Sequence, residues 1–531
     1  MRSLRIALAA AVVATLVVAP TPASHAQEDG HHWPFGLEGG GTGFSRKDYY
    51  NLGVLGLKAR DPERAASPSF GQGKRRASAG GGGAMADVGP NRLLVEIVFP
   101  GGPAAKAGIK VGDVIVGAGP TFKDGSLEPL SAALIKAESG KGKGVLTLRV
   151  ERQGESKAQK IAIKLPQGGK EAAKPHEGSA RQAIFDKSLA WLAGEQQSSG
   201  GFSQTLSGVN GAVVQTSLAG LAWLAGGSDL KRGKYRKNVK SAMDFVIANV
   251  AAKDAFGGGG RGRGGTSDGE PAPAGPSWDQ SNWGYAHAAI FLGELQQRSS
   301  TRELKETLIE CGATLARRQE KSGGWAHGPG GPNALGYVEL NIVSGLALCG
   351  IGLAGQAGYE VPESVIEKAE ASLSESGSGD GGVAYSGQPG QRGQGNLGRT
   401  AGAWLGFVDL GLGKSKWAKK MGKYVTSHAD ETFGGHASLM QHVLLGGVAA
   451  HALGGKARAA FWEKNVLEMT IARAPDGSFQ PRPWHESLSM SSNSDVTFGQ
   501  VWTTAAWAIV LGCEPDGKRP GLPAWMGLKS K

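Results

Sequence analysis

From Ala180 to Gly512 the chain alternates between two kinds of helical stretch. One kind is polar with a single apolar stripe, starting near Arg181, Lys234, Arg302, Pro362, Lys416 and Arg458. In the third, Leu304, Leu308, Cys311 and Leu315 share a face, and Ser300 with Glu303 reads as a capping box. The other kind, such as "VVQTSLAGLAWLAGG" and "FGQVWTTAAWAIVLG", is apolar around most of its circumference, which predicts cover on two sides. Pairing each polar helix with the apolar one after it gives six helical hairpins.

Between the members of a pair a worn phrase recurs: "QQSSGGFSQ", "QEKSGGWAHGPGG", "SGDGGVAYS", "DETFGGHAS" and "APDGSFQPR". Its glycines at Gly201, Gly324, Gly382, Gly435 and Gly477 space out at about 55 residues once "DAFGGGGRG" counts as a degenerate copy. Glycine lets the outer helix end and the chain reverse, and the aromatic plugs the gap between hairpins. Six hairpins with buried inner members predict an (α/α)6 toroid over residues 180–514, with a disordered loop near 257–277.

Ahead of this body the periodicity changes. "LLVEIVF", "GDVIVGAG", "GVLTLRVERQG" and "AQKIAIKLP" carry strand patterns, and "LEPLSAALIKAE" has helical spacing. The fold class expected is therefore multidomain: an α+β module over 47–166 with a Gly/basic insertion near 66–92, a polar linker at 167–179, then the all-α toroid. A tail covers 515–531.

The Pro-Ala-x-x-Ala-Gly-x-x-x-Gly-Asp-x-Ile pattern from Pro103 to Ile115 resembles bacterial PDZ domains. That resemblance implies a module that binds protein C-termini or extended peptides by strand addition, with a backbone N–H loop for the terminal carboxylate. "YNLGVLGLKARD" supplies two hydrophobic-Gly-hydrophobic candidates for that loop, Leu52, Gly53, Val54 and Leu55, Gly56, Leu57. Leu130 and Leu134 would line the pocket from the helix. The Gly-aromatic turns look like the glutamine-tryptophan repeats of squalene and terpene cyclases, and the hairpins resemble the cyclase and prenyltransferase toroids. The whole arrangement resembles secreted planctomycete-type proteins of uncharacterised function that join the two modules, which implies architecture and no activity.

"MRSLRIALAAAVVATLVVAPTPASHA" reads as a signal peptide over 1–26, with Arg2 and Arg5 before an apolar stretch and Ser24 and Ala26 before a cut. A flexible segment at 27–46 follows, and a periplasmic or secreted location is expected. No cysteine follows the cut, which argues against a lipoprotein, and no other stretch is long and apolar enough to cross a bilayer. Removing the leader lowers the net charge from +12 to +10. Much of that excess sits in loops such as "GKRRAS" and "GGRGRGG", a solvated surface rather than a specific nucleic-acid reader. Glycine, at 87 of 531 residues, is about double its usual share of near 7%. Cys311, Cys349 and Cys513 lie in apolar helical contexts, as buried thiols do, with one bridge left open.

Chemistry is thinly signalled. There is no Asp-x-Asp-Asp acid motif, no Asp-x-Cys zinc pair and no Cys-Gly-Glu-Gln thioester, and the Ser-Gly-Gly strings lack the strand-rich domain of a serine protease. What remains are polar residues near the starts of the apolar helices: Tyr285 and His287, Tyr337 and Glu339, Arg399, His436 and His442, Asp495 and Gln500. A carboxylate and an imidazole facing one hollow could do acid–base work, whereas His436, His442 and Asp495 make only a weak metal pattern, so no cofactor and no metal are expected. The same residues could equally cap helices. Trp283, Trp325, Trp404, Trp484 and Trp502 could line a sugar site or serve as packing. The leading expectation is an exported peptide-binding scaffold. The alternative is an extracytoplasmic enzyme, a polysaccharide hydrolase or lyase or a terpenoid-cyclase-like protein, with a glycan or hydrophobic small molecule in the toroid.

Overall fold

The computed structural model describes residues 49–60, 91–123, 128–202, 208–251, 280–329, 339–388, 390–433, 438–480 and 494–513. The expected leader at 1–26, the segment 27–46, most of the insertion near 66–92, the loop near 257–277 and the tail at 515–531 lie outside them.

The N-terminal part is a six-stranded antiparallel sheet whose spatial order follows the chain: β1 Tyr49–Leu52, β2 Leu57–Arg60, β3 Leu93–Val98, β4 Val114–Gly117, β5 Val145–Glu151 and β6 Gln159–Lys164. Alternation sets its register. Leu146, Leu148 and Val150 of β5 turn inward, and Leu146 stands opposite Ile163 of β6. Helix α1 (Pro103–Lys106) ends on Gly108 and the next turn on Gly112, both at positive φ. Buried Asp113 ties that turn down, accepting from the Lys110 N–H and from Arg152 Nε and Nη2 at 2.9–3.0 Å. Helix α2 (Glu128–Glu138) lays Leu130 and Leu134 on the sheet's core.

The rest of the described chain is helical. Outer helices α3 (Gly178–Glu195), α5 (Arg236–Ala251), α7 (Arg302–Arg317), α9 (Glu363–Ser376), α11 (Lys416–Ser427) and α13 (Gly455–Ala472) alternate with inner helices. The inner ones are α4 (Gly208–Ala225), α6 (Ser281–Gln296), α8 (Asn341–Gln356), α10 (Leu397–Asp409), α12 (Leu439–Leu453) and α14 (Ser494–Gly512). Each inner helix packs on the next, and α14 packs back on α4, so the six close into a ring. Inner α8 is buried from Val343 to Ala354, as its unbroken apolar run requires. In α7 the expected stripe is buried, but the cap is Thr301, whose Oγ1 accepts from the Leu304 N–H at 3.2 Å. Ser300 is instead held by Gln296, because the chain is still extended at Thr301.

Four described turns share one geometry. A backbone N–H at Gln197, Glu320, Ser378 or Ala474 donates to the carbonyl four residues on, at 2.8–2.9 Å. The glycine before that carbonyl, Gly200, Gly323, Gly381 or Gly477, has φ between +88° and +103°. Gly477 thus matches Gly200, not Gly201 as the spacing suggested. A side chain there would strike the neighbouring outer helix: a Cβ on Gly323 would lie 2.1 Å from the Lys368 carbonyl oxygen, and one on Gly477 2.7 Å from that of Lys187. The last contact joins the sixth repeat to the first. Gln196 and Gln319 staple the first two of these turns, each amide donating to the turn carbonyl and to a carbonyl of the next outer helix at 2.8–3.1 Å. Buried Phe202, Trp325, Val383 and Phe479 follow the turns, and the last three donate backbone N–H groups to Ser344, Thr400 and Thr504 of inner helices.

The two parts meet along the end of α13. Ile471 packs into the sheet core with Leu52, Leu55, Leu57, Leu130 and Leu134, and Glu138 pairs with Arg473 at 2.6 Å. The linker is packed as well: its Lys170–Ala173 turn rests on α2 and α3, and His176 stacks on Trp462 with ring centres 5.2 Å apart.

Candidate functional site

The inner helices begin at one end of the ring, where the polar candidates gather. Their fates separate once hydrogen bonds are followed. Asp495 is fully buried, and its carboxylate accepts from Ser438 Oγ (2.6 Å), Trp502 Nε1 (2.9 Å) and the N–H groups of Leu439 (2.7 Å) and Met440 (3.1 Å). It therefore caps α12 from the neighbouring helix, where the positive end of the helix dipole suits an anion. Burial still pushes its pKa up to about 6 against those four donors. Glu339 takes the Ser322 hydroxyl and lies against Gly324, bracing a turn. His442 packs its ring on Gly398, and Gln500 donates to Ser478 at 3.1 Å. In each case the contact braces a turn, a helix start or a helix packing.

His287 is different. Its Nδ1 makes a 2.9 Å hydrogen bond with the Trp283 carbonyl one helical turn back, so Nδ1 carries the proton and Nε2 presents a lone pair. Burial pulls the imidazole pKa down to about 4, so the ring is neutral near pH 7. Nε2 faces Gln441 of α12, which raises the basicity slightly, yet no well-formed hydrogen bond joins them. In a six-helix ring α6 and α12 stand opposite, so the two side chains meet across the middle. Among the described residues, His287 Nε2 and both polar atoms of Gln441 are buried without hydrogen-bond partners. Asn210 Oδ1 and Ser217 Oγ, seven residues apart on α4, share that condition.

Aromatic and imidazole rings flank the centre. Ring centre to ring centre, Trp283 lies 6.3 Å and Trp502 6.2 Å from His287. Trp283 Nε1 donates to His327 Nδ1 at 2.9 Å, and burial lowers the His327 pKa to about 4 as well. Of the other tryptophans, Trp325 and Trp404 are packing residues: Trp325 is wholly buried in a turn and donates to the Leu315 carbonyl, and Trp404 packs beside Gly422 of α11.

Arg399 belongs to a second group. Its guanidinium lies 5.8 Å from the Tyr385 ring centre, and Nε reaches the Val383 carbonyl at 3.3 Å. Burial lowers its pKa to about 10. Nearby, Tyr424 donates to Glu431 at 2.8 Å, and burial raises the Glu431 carboxyl above its usual range. Tyr285 carries Arg318 over its ring at 4.7 Å. His436, Tyr337 and Trp484 lie outside the described residues.

Sequence reading missed His327, Gln441, Tyr424 and Glu431. Gln441 neighbours a residue that was singled out, but one position on a helix is a turn of about 100°, which sends His442 to a helix contact and Gln441 to the centre. His327 is two residues past the turn tryptophan, where the repeat gave no reason to single it out. Among the described residues no three His, Cys, Asp or Glu side chains form a metal-holding group, and no helix is long and apolar enough to cross a membrane. The three cysteines are buried thiols, none of them in a disulfide, and burial pushes the Cys311 thiol up to about 12.

Residues 181–512 match the model of a domain of unknown function, DUF6288, and the chain belongs to that family. The matched span runs from the first outer helix to the end of the last inner one. No curated protein matches the chain. Among solved structures, unsaturated glucuronyl hydrolase from Bacillus sp. GL1, described as responsible for glycosaminoglycan degradation, is similar at 12% identity. The likeness covers 62% of this chain and 96% of that one, with a TM-score of 0.41.

Proposed function

We propose that this DUF6288 protein is an enzyme that takes a neutral, hydroxyl-rich ligand, a saccharide, into the polar centre of its ring. The observation that carries this reading is the pair of buried groups, His287 Nε2 and the Gln441 amide, with the rings of Trp283 and Trp502 each about 6 Å from the His287 ring. Buried polar groups form hydrogen bonds wherever a partner is in reach, so an imidazole lone pair and an amide facing each other at the centre offer both an acceptor and a donor to a polar ligand. Sugar hydroxyls both donate and accept, and their apolar faces suit tryptophan rings. An imidazole with its tautomer fixed by the Trp283 carbonyl orients such a hydroxyl and is the atom placed to take its proton. A hydrocarbon substrate of the terpenoid kind would leave these groups unpaired, which argues against it. A polysaccharide substrate also agrees with the export expected from residues 1–26.

The competing reading, a scaffold that captures peptide ends in a PDZ-like groove, is weakened by burial: Leu52 to Leu57 lie under the end of α13. Titration calorimetry and product analysis over a panel of neutral oligosaccharides test the proposal, with His287→Ala and Gln441→Ala beside the wild type. Binding or turnover by the wild type, reduced at least roughly 10-fold in both variants, is expected from losing one hydrogen-bonding group. Blank titrations and no product throughout, or full activity in both variants, count against it.

A further inference from the structure

We infer that the sheet module is a clasp over the seam of the ring, its groove dedicated to the chain's own helix end rather than to a separate partner. A closed ring built from one chain has one place where its last repeat must meet its first. Here that place is the turn from Ala474 to Ser478, where Gly477 sits on the Lys187 carbonyl of α3 and its own carbonyl accepts from Ser188 at 2.8 Å. Arg181 adds a 2.7 Å bond to the Leu511 carbonyl at the end of α14.

The module grips both sides of this joint. On the sixth repeat Ile471 enters the sheet core, Arg473 pairs with Glu138, and Phe99 packs on Ala474. Gly53 lies so close to the carbonyls of Ala472 and Arg473 that an added Cβ would stand 2.8 and 2.5 Å from them. A helix C-terminus carries roughly half a negative charge. The loop expected to receive a carboxylate therefore already faces the carbonyl end of α13. On the first repeat the module is joined through a short packed segment: the Gly168 N–H donates to the Glu138 carbonyl at 2.9 Å, and Glu171 accepts from the Ser179 N–H at 3.2 Å as α3 begins. One residue, Glu138, thus touches both arms.

Hydrogen exchange on the full chain tests this, because it reports each segment separately. The variants are Ile471→Ala and Arg473→Ala, with the milder Ile471→Val in case either fails to fold. The expected result is exchange at least roughly 10-fold faster in residues 474–480 and in α3, with the turn at 319–325 unchanged. Loosening confined to the sheet, or equal loosening at 319–325, overturns the clasp. A seven-residue peptide ending in a free-carboxylate valine gives a second readout by fluorescence titration. The wild type should leave it unbound, and saturable binding to the wild type overturns the dedication of the groove. Neither readout depends on what the ring's centre binds.

Discussion

The turns at the rim and the centre of the ring are built by opposite rules. At the rim each of the four described turns is closed by a backbone hydrogen bond of 2.8–2.9 Å, and glycine sits where a Cβ would strike the neighbouring outer helix. At the centre, among the described residues, Nε2 of His287 and the equally buried Gln441 amide face each other with no well-formed hydrogen bond. Asp495 and His287 show the contrast within one ring: four donors surround the first, and the second keeps an open lone pair. The four donors around Asp495 hold the start of α12 in place, and the open lone pair of His287 is the feature on which the proposed ligand site rests.

Four perturbations break or sharpen this contrast. Gly323→Ala combines a positive φ with a backbone clash, so it should cost about 3–5 kcal/mol in a urea denaturation series. A loss below about 1 kcal/mol would mean the turn is not docked as described. Lowering the pH comes next. The imidazoles of His287 and His327 stay neutral to about 4 in the fold but titrate near 6.5 once unfolded, so their stabilisation is whole above 6.5 and is lost as pH falls toward 4. Asp495 acts oppositely, because its raised pKa, about 6, makes its ionisation erode stability as pH rises from 3.8 to 6. Burial raises the Asp409 and Glu431 carboxyls too, so the sign is read from a difference: between pH 6.5 and 4 the melting temperature of His287→Gln should fall less, or rise more, than that of the wild type.

Asp495→Asn should cost about 2–3 kcal/mol by leaving donors of α12 unpaired, visible as faster exchange of the Leu439 and Met440 amides. Gln441→Leu should move stability least and in the other direction. It removes two unpaired polar atoms from the interior, and the empty protein should gain up to about 1 kcal/mol.

The ring was legible in the sequence because its constraints are local and repeated. The apolar stretch containing Val343 and Leu353 must be covered, and Gly323 must reverse the chain, whatever lies nearby. The centre was not legible to the same degree. His287 was visible as a polar residue in an apolar helix, but its counterpart Gln441 lies 154 positions away, and only ring closure brings them together. Burial of the Leu52–Leu57 loop was hidden for a related reason: a hydrophobic-Gly-hydrophobic string serves an open pocket and a filled one equally well, and Ile471, which fills it, lies some 420 positions later. Ser300 and Thr301 show the smaller error, since either can cap and only the backbone's entry into the helix decides.

The central claim is that the ring's unpaired centre exists to bind. Thermal shifts of the wild type and Gln441→Leu, each with and without a panel of neutral oligosaccharides, test it most directly. The account predicts a wild type that at least one sugar stabilises, and a variant that melts higher on its own and responds to none. A wild type indifferent to every sugar, beside a variant that melts lower, would contradict it.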